Sequence, residues 1–484
     1  MSENTKHITI KGLYWNAIDR FGSQAVTMII GVVLANLLDP ENYTVIAAIN
    51  IFTVIATSFV DSGLATSLVR SKEVGERDYS TIFTFNILVS ISLYSLLFFL
   101  APWIEKFQGI DNLSTYARVL FLQLIIHSFG IVQYVKVLKR FDFNIVAKAN
   151  VISILCSGIF VCILAYYGYG IWALVLQMPI YSSIRTLLFW CWGDWKFHIS
   201  FDFSIIKKHL SFSFMFMMAN MLGKLMSPLY TFMMNKVVSP NESGQYYNGN
   251  RWGETPNMLI SSIIQGTTLS TLAPIQDDQP RFLNACRKTM SSLAFALFPV
   301  SFLAICVADP AFKTFLGKEW IPSIPMFQWL CFSGIFIALT DMNVNFITIK
   351  GKSKFGLRLE LVKLFLAVLV FYFTYPYGVF GIIYGQIAVR ITCYLIACRM
   401  SKPVYGYQIL AQLKDLFPSL LISLIAGVLA YLPLYYQFVS NKLLLIAIQT
   451  IIFAIIYLSI NHLIKNAIWL EILSLLNKKF ANKN

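Results

Sequence analysis

The chain has 484 residues, of which 57% are hydrophobic and 13% charged, with a formal net charge of +15. Soluble domains carry about 25% charged residues, so a water-soluble globule of this size would lack polar surface to cover itself, whereas a bilayer-embedded fold needs none on its lipid face. The basic excess sits mostly in short loops between apolar runs and no nucleic-acid-binding signature accompanies it, which excludes nucleic acid as a partner.

In chain order, a short polar start (1–9) without a signal-peptide cleavage site is followed by apolar runs of spanning length. A spanning helix needs roughly 20 apolar residues. By that measure about fourteen segments qualify: 12–37, 43–66, 80–102, 114–135, 143–166, 170–191, 210–233, 244–271, 288–307, 324–347, 356–374, 378–399, 414–433 and 443–462. A polar-tipped helix over 466–480 is expected to lie on the inner surface. With the N-terminus inside, the alternating loops place 24 Lys and Arg residues inside and 5 outside. One missed or extra helix would scramble that bias, so it supports the count and puts both termini in the cytoplasm. The outer loops are too short to hold an external domain.

An internal repeat runs through this array. Tyr167-Gly168-Tyr169-Gly170-Ile171-Trp172-Ala173-Leu174-Val175 matches Tyr375-Pro376-Tyr377-Gly378-Val379-Phe380-Gly381-Ile382-Ile383, and a glutamine follows each, Gln177 and Gln386. Upstream, Leu38-Asp39-Pro40 resembles Val238-Ser239-Pro240, and Gly63 with Ser67 resembles Gly266 with Ser270. Six helices per copy give both copies the same orientation, so the expected fold is an all-α membrane protein. Two six-helix lobes (1–198 and 199–404) are related by a pseudo-two-fold axis along the membrane normal; two further helices and a cytoplasmic C-terminal helix follow (405–484). Two such lobes facing across a cavity are a transporter architecture, working by rocking of one lobe against the other.

Charge inside the spans is the main functional signal, because each charge at a helix centre costs roughly 2.5–3.5 kcal/mol on insertion scales. Arg118, Lys148, Asp61 and Arg358 lie near helix ends, where snorkelling accounts for them. Glu360 with Lys363, and Arg251 with Glu254, are spaced to pair at i,i+3. The deeper cations, Arg20, Arg185, Lys224, Arg251 and Arg390, suit an anionic cargo carrying phosphate, since Arg forks match phosphate oxygens. Asp19, Glu254 and Asp341 are the candidate ion- or proton-coupling acids. A polar-aromatic stripe, Tyr246, Tyr247, Asn248, Asn250 and Trp252, opens the eighth segment and suits either sugar stacking or an interfacial belt. The eight cysteines and five histidines form no ligand set or CxxC pattern, so neither a metal nor a cofactor is expected. No nucleophile–base pair or phosphate-cradling loop points to an enzyme.

Several short stretches resemble the polysaccharide-biosynthesis flippases of the multidrug/oligosaccharidyl-lipid/polysaccharide (MOP) superfamily, in its lipopolysaccharide and exopolysaccharide export branch. They are Leu38-Asp39-Pro40-Glu41-Asn42-Tyr43, Asp61-Ser62-Gly63-Leu64-Ala65, Tyr169-Gly170-Ile171-Trp172-Ala173-Leu174, Gly244-Gln245-Tyr246-Tyr247-Asn248 and Leu316-Gly317-Lys318-Glu319-Trp320. Their order and spacing extend over about 300 residues; one departure is Thr44, where the family has glycine. The resemblance implies a flippase of the bacterial inner membrane that moves undecaprenyl-diphosphate-linked sugar repeat units between leaflets. It implies a central cavity lined by helices 1, 2, 7 and 8, hence by Arg20, Lys224 and Arg251, and a lipid-tail groove on helices 13 and 14. Its partners would be the lipid-linked oligosaccharide, membrane lipids, and the glycan polymerase and export machinery. A peptidoglycan-precursor flippase and a multidrug/cation antiporter of the same superfamily remain as alternatives. The antiporter predicts an acidic cavity. A glycan polymerase or ligase would need a large outer loop.

Overall fold

The computed structural model describes residues 3–61, 67–69, 71, 74–198, 200–352 and 354–481. Its long elements are helices: α1 (Glu3–Leu37), α2 (Pro40–Asp61), α3 (Glu76–Gln108), α4 (Leu113–Lys139), α5 (Phe143–Tyr166), α6 (Ile171–Trp192) and α7 (Phe203–Met234). After these come α8 (Pro240–Leu272), α9 (Gln279–Phe315), α10 (Ser323–Ile349), α11 (Lys354–Thr374), α12 (Gly378–Tyr405), α13 (Ile409–Tyr435), α14 (Lys442–Leu463) and α15 (Ala467–Ala481). Each of the fourteen segments marked from the sequence falls on one of α1–α14, and the surface helix falls on α15. Among the described residues, eleven stretches are long and apolar enough to cross a membrane, one of which, Lys354–Tyr405, carries both α11 and α12. Helices α7 and α8 fall outside those eleven.

Helix ends follow local chemistry. Asp202 caps α7 by accepting from the Ser204 backbone N–H at 2.9 Å, and its carboxyl is held below the usual range by the Ser204 hydroxyl and amide. Asn441 caps α14 by accepting from the amides of Leu443 and Leu444. The repeated Tyr-x-Tyr-Gly has a backbone reason: Gly170 and Gly378 adopt φ of 51° and 70° where the chain enters α6 and α12, a region that a Cβ disfavours.

The chain divides into two compact units, Met1–Gly244 and Gln245–Asn484. In the first, Ile49, Leu97, Ala101, Phe121 and Val175 knit α2, α3, α4 and α6 into one core, while α1 lies on α5 and α7 on α2. The start of α8 crosses the start of α2 at close range. A Cβ on Gly244 would lie 1.7 Å from the Pro40 carbonyl oxygen, Thr44 Oγ1 donates to the Pro240 carbonyl at 2.5 Å, and Asn235 Nδ2 donates to the Thr44 carbonyl at 3.1 Å. In the second unit, Phe282, Met290, Leu297, Met342, Phe346 and Tyr405 join α9, α10 and α12. Helices α13 and α14 dock on α9 through Ile422, Ala426, Ala430 and Phe453.

Basic residues assigned to the inner side gather at one end of each unit. Lys136 at the end of α4 meets Glu76 at the start of α3 at 2.6 Å, and Arg140 pairs with Asp194 just past α6. In the second unit Arg287 pairs with Asp415, Lys288 with Glu471, and Lys350 donates to Gln279. Arg70, Lys72 and Lys483 of the same set lie outside the described residues, as does Gly63 of the repeat.

Candidate functional site

In the first unit a polar relay crosses three apolar helices. Asp19 on α1 accepts both contacts of the Asn150 amide, at 3.0 and 3.1 Å, and the Asn150 carbonyl oxygen accepts from Arg185 Nε at 2.8 Å. The Arg185 guanidinium lies 5.1 and 5.0 Å from the ring centroids of Tyr134 and Phe189. Asn150 is seven residues into α5 and Arg185 seven from the end of α6, so both sit roughly 10 Å in from the end that carries Lys136 and Arg140. In the same unit, Asp61 closes α2 and meets His127 Nε2 of α4 at 2.9 Å. The adjacent Asp19 and Arg20 diverge, as neighbours on a helix must: Asp19 turns to Asn150 and Arg20 is exposed.

In the second unit the organising helix is α8. Glu254, Asn257, Ser261 and Gln265 recur at helical spacing and present one polar face. Together with Gly334, Ala338 and Asp341 of α10 they line a cavity of about 260 Å³. Asn257 fixes the seam: its Nδ2 donates to the Cys331 carbonyl at 2.8 Å and its Oδ1 accepts from Ser301 at 2.7 Å. Gly334 makes room for it, since a Cβ there would lie 2.4 Å from that Nδ2. Glu254 does not pair with Arg251, as its spacing had suggested. It is ion-paired with Arg390 of α12, which is 4% exposed and also donates to Ser333 Oγ at 3.0 Å. The Glu360–Lys363 pair does form, at 2.7 Å within α11.

Four of the five candidate cations separate into two kinds. Arg185 and Arg390 have polar partners inside their own units. Lys224, exposed on α7, and Arg251, half-buried on α8, have side chains with no hydrogen bond or ion pair to a described residue. An exposed charge midway along a helix of an apolar bundle is tolerated where it meets water or a ligand, not hydrocarbon. The polar-aromatic stripe is divided: Tyr246, Asn248 and Asn250 are buried, whereas Tyr247 and Trp252 are half-buried. Tyr246 is fully buried with its hydroxyl on Gln386 at 2.8 Å, and Trp252 packs edge-on against Phe312 and beside Trp320. Burial removes the Tyr246 ring from sugar stacking, while Trp252 stays half-buried. Sequence reasoning missed Asn150, His127, Asn257, Ser261 and Gln265. The last three were legible as polar positions repeating with Glu254 along one helix face. Among the described residues no group of three or more His, Cys, Asp or Glu could hold a metal ion.

These features agree with what the chain resembles. The profile of the family described as "Polysaccharide biosynthesis protein" matches residues 33–325. The lipopolysaccharide biosynthesis protein WzxC of Escherichia coli K12 is 22% identical over 433 residues, covering 87% of this chain and 87% of that protein. Among solved structures, a lipid II flippase MurJ in an inward closed conformation superposes with a TM-score of 0.75 at 14% identity, covering 94% of this chain and 100% of that one. An inward-facing multidrug resistance MATE transporter of the MOP superfamily superposes with a TM-score of 0.63 at 15% identity, over 79% and 95%. The two structures share the fold. The profile, spanning more than half of the residues, decides membership: the chain is a multi-pass membrane protein and belongs to the polysaccharide biosynthesis protein family.

Proposed function

We propose that this protein flips an undecaprenyl-diphosphate-linked oligosaccharide repeat unit from the inner to the outer leaflet of the bacterial inner membrane, for surface polysaccharide synthesis, by alternating access. All fourteen long helices cross the bilayer, in two six-helix lobes (1–198 and 199–404) followed by α13 and α14, with both termini cytoplasmic. What supports this reading is two cations, Lys224 in the first unit and Arg251 in the second, that lie within long helices and make no hydrogen bond or ion pair to a described residue, Asp61 reaching Lys224 through its field alone. Each is assigned to a phosphate oxygen of the cargo, and Arg20 of α1 is given the same role. Arg185 and Arg390 position helices from within each unit. Glu254 and Asp341, which open on the polar cavity between α8 and α10, serve as the coupling acids of the second lobe, and Asp19 is their counterpart in the first. The family membership and the names of the similar proteins support a lipid-linked glycan over a cationic drug.

The test is a deletion strain complemented with wild type, Lys224→Ala, Arg251→Ala or both, scored for surface glycan and for extracted lipid-linked intermediates. The expected result is loss of surface glycan and accumulation of sugar-charged undecaprenyl diphosphate in the deletion and the double variant, at normal protein level. Full export by the double variant would sink the cationic-cargo reading. Normal glycan in the deletion with new sensitivity to cationic dyes would move the function to an antiporter, and rescue of a strain lacking its lipid II flippase would move it to peptidoglycan.

A further inference from the structure

We propose that the second unit carries a binding site for the phosphate of an anionic glycerophospholipid at the polar end of α9, α13 and α15. The site uses none of the charged residues assigned to the cargo or to coupling, and it shares α13 with the helices that the resemblance gives to the cargo's lipid tail.

A cavity of about 670 Å³ opens there, with Arg287 and Lys288 on one wall, Lys414 on another, and Ile464 and Asn466 at the α14–α15 turn. Its charge is unbalanced. Both Asp415 oxygens accept from Arg287, at 2.8 Å each, and one also accepts from the Tyr407 hydroxyl at 2.8 Å. Glu471 takes one contact from Lys288 at 2.7 Å. Lys414 is exposed, with no hydrogen bond or ion pair to a described residue, though its field reaches Asp415. Three cations thus face two occupied carboxylates, and Lys288 keeps two of its three N–H donors.

The depth of the pocket selects a lipid over a soluble anion. With 37 residues, α9 is roughly 55 Å long, well beyond the roughly 30 Å hydrocarbon core, so its first turns stand at headgroup level. On α13 the apolar run begins at Leu416, directly after Lys414 and Asp415, and on α14 it ends at Ile460, followed by Asn461-His462 and, just past the helix, Lys465. All three helices therefore change from polar to apolar at the pocket. Below it, Phe417, Leu421, Leu424 and Val428 are 57%, 42%, 46% and 57% exposed and lie on one face of α13. This is an uncovered apolar strip running down from a cationic pocket, the pairing that an acyl chain and its phosphate require. Helix α15 closes the pocket with Ile468 and Glu471, and its sequence continues to Lys478-Lys479, as in helices that lie on anionic membrane surfaces. Basic pockets between spanning helices at the cytoplasmic face hold anionic headgroups for the same electrostatic reason.

The experiment is native mass spectrometry of the full-length, delipidated protein titrated with phosphatidylglycerol, with phosphatidylcholine of the same acyl chains, and with undecaprenyl phosphate. It is repeated on Lys288→Gln/Lys414→Gln, whose two side chains are exposed and whose thermal stability is measured alongside. The expected result is a preference for phosphatidylglycerol over phosphatidylcholine that falls by roughly 30-fold in the double variant, the loss of two surface cations near an anionic lipid. No preference in wild type, an undiminished preference in a folded double variant, or a preference for undecaprenyl phosphate lost in that variant would each overturn the proposal.

Discussion

Replacing either partner of the Glu254–Arg390 ion pair exposes how the second unit handles charge inside a membrane. The side chains differ in access: Arg390 is 3% exposed and Glu254 26%. Glu254→Met strands a guanidinium that has only Ser333 left, so the cost is that of breaking a buried pair, about 3–5 kcal/mol. Arg390→Met strands a carboxylate that opens on the α8–α10 cavity, where water or a proton can reach it, and costs about 1–3 kcal/mol. The double variant leaves no stranded charge, and such replacements are often neutral. The order of stability should be wild type near the double variant, then Arg390→Met, then Glu254→Met. SDS-induced unfolding in mixed micelles, followed by tryptophan fluorescence, supplies the four free energies of the cycle. Additive losses in the double variant, or Arg390→Met falling below Glu254→Met, would refute the assignment of the desolvation cost to the arginine.

Gly244→Ala places a Cβ against the Pro40 carbonyl oxygen and should cost more than the roughly 1–3 kcal/mol of ordinary overpacking, because backbone cannot swing aside; Gly266→Ala, with open space around it, should be near neutral in the same unfolding assay. Asn150→Ala removes the amide shared by Asp19 and Arg185 and should cost about 1–3 kcal/mol, whereas Asn150→Asp should be worse, since it sets a second carboxylate against Asp19. Thr44→Val loses the contact to the Pro240 carbonyl while keeping shape, for about 0.5–1.5 kcal/mol, and cysteine-accessibility labelling near 235–244 should rise with it.

Helix positions were legible because spanning length and loop charge are one-dimensional signals. The turn glycines were legible for the same local reason: Gly170 and Gly378 mark a positive φ that repeats. The pairing of charges was not. Glu254 and Arg390 are 136 residues apart, and i,i+3 spacing offered Arg251 as a nearer partner. Only the packing of α8 beside α10 and α12 decides between them. Asn150 and His127 went unnoticed because one neutral polar residue in an apolar run carries little weight until its charged partner is placed. The polar face of α8 shows only when Asn257, Ser261 and Gln265 are taken together with Glu254 at helical spacing; singly, each is one neutral residue in a long segment.

That polar face also bears on how the chain is made. The translocon releases segments into lipid according to their hydrophobicity, and Arg251 with Glu254 alone would cost α8 roughly 5–7 kcal/mol as an isolated insertion. Its asparagine seam is satisfied by Ser301 on α9 and the Cys331 carbonyl on α10, both synthesised later. On the fourteen-span reading proposed above, helix α8 therefore waits at the translocon and enters the bilayer with its successors. A reporter after Leu272 in a chain truncated there should read misinserted, and one after Ile349 inserted. The second unit would then assemble out of its order of synthesis, its first helix settling together with α9 and α10.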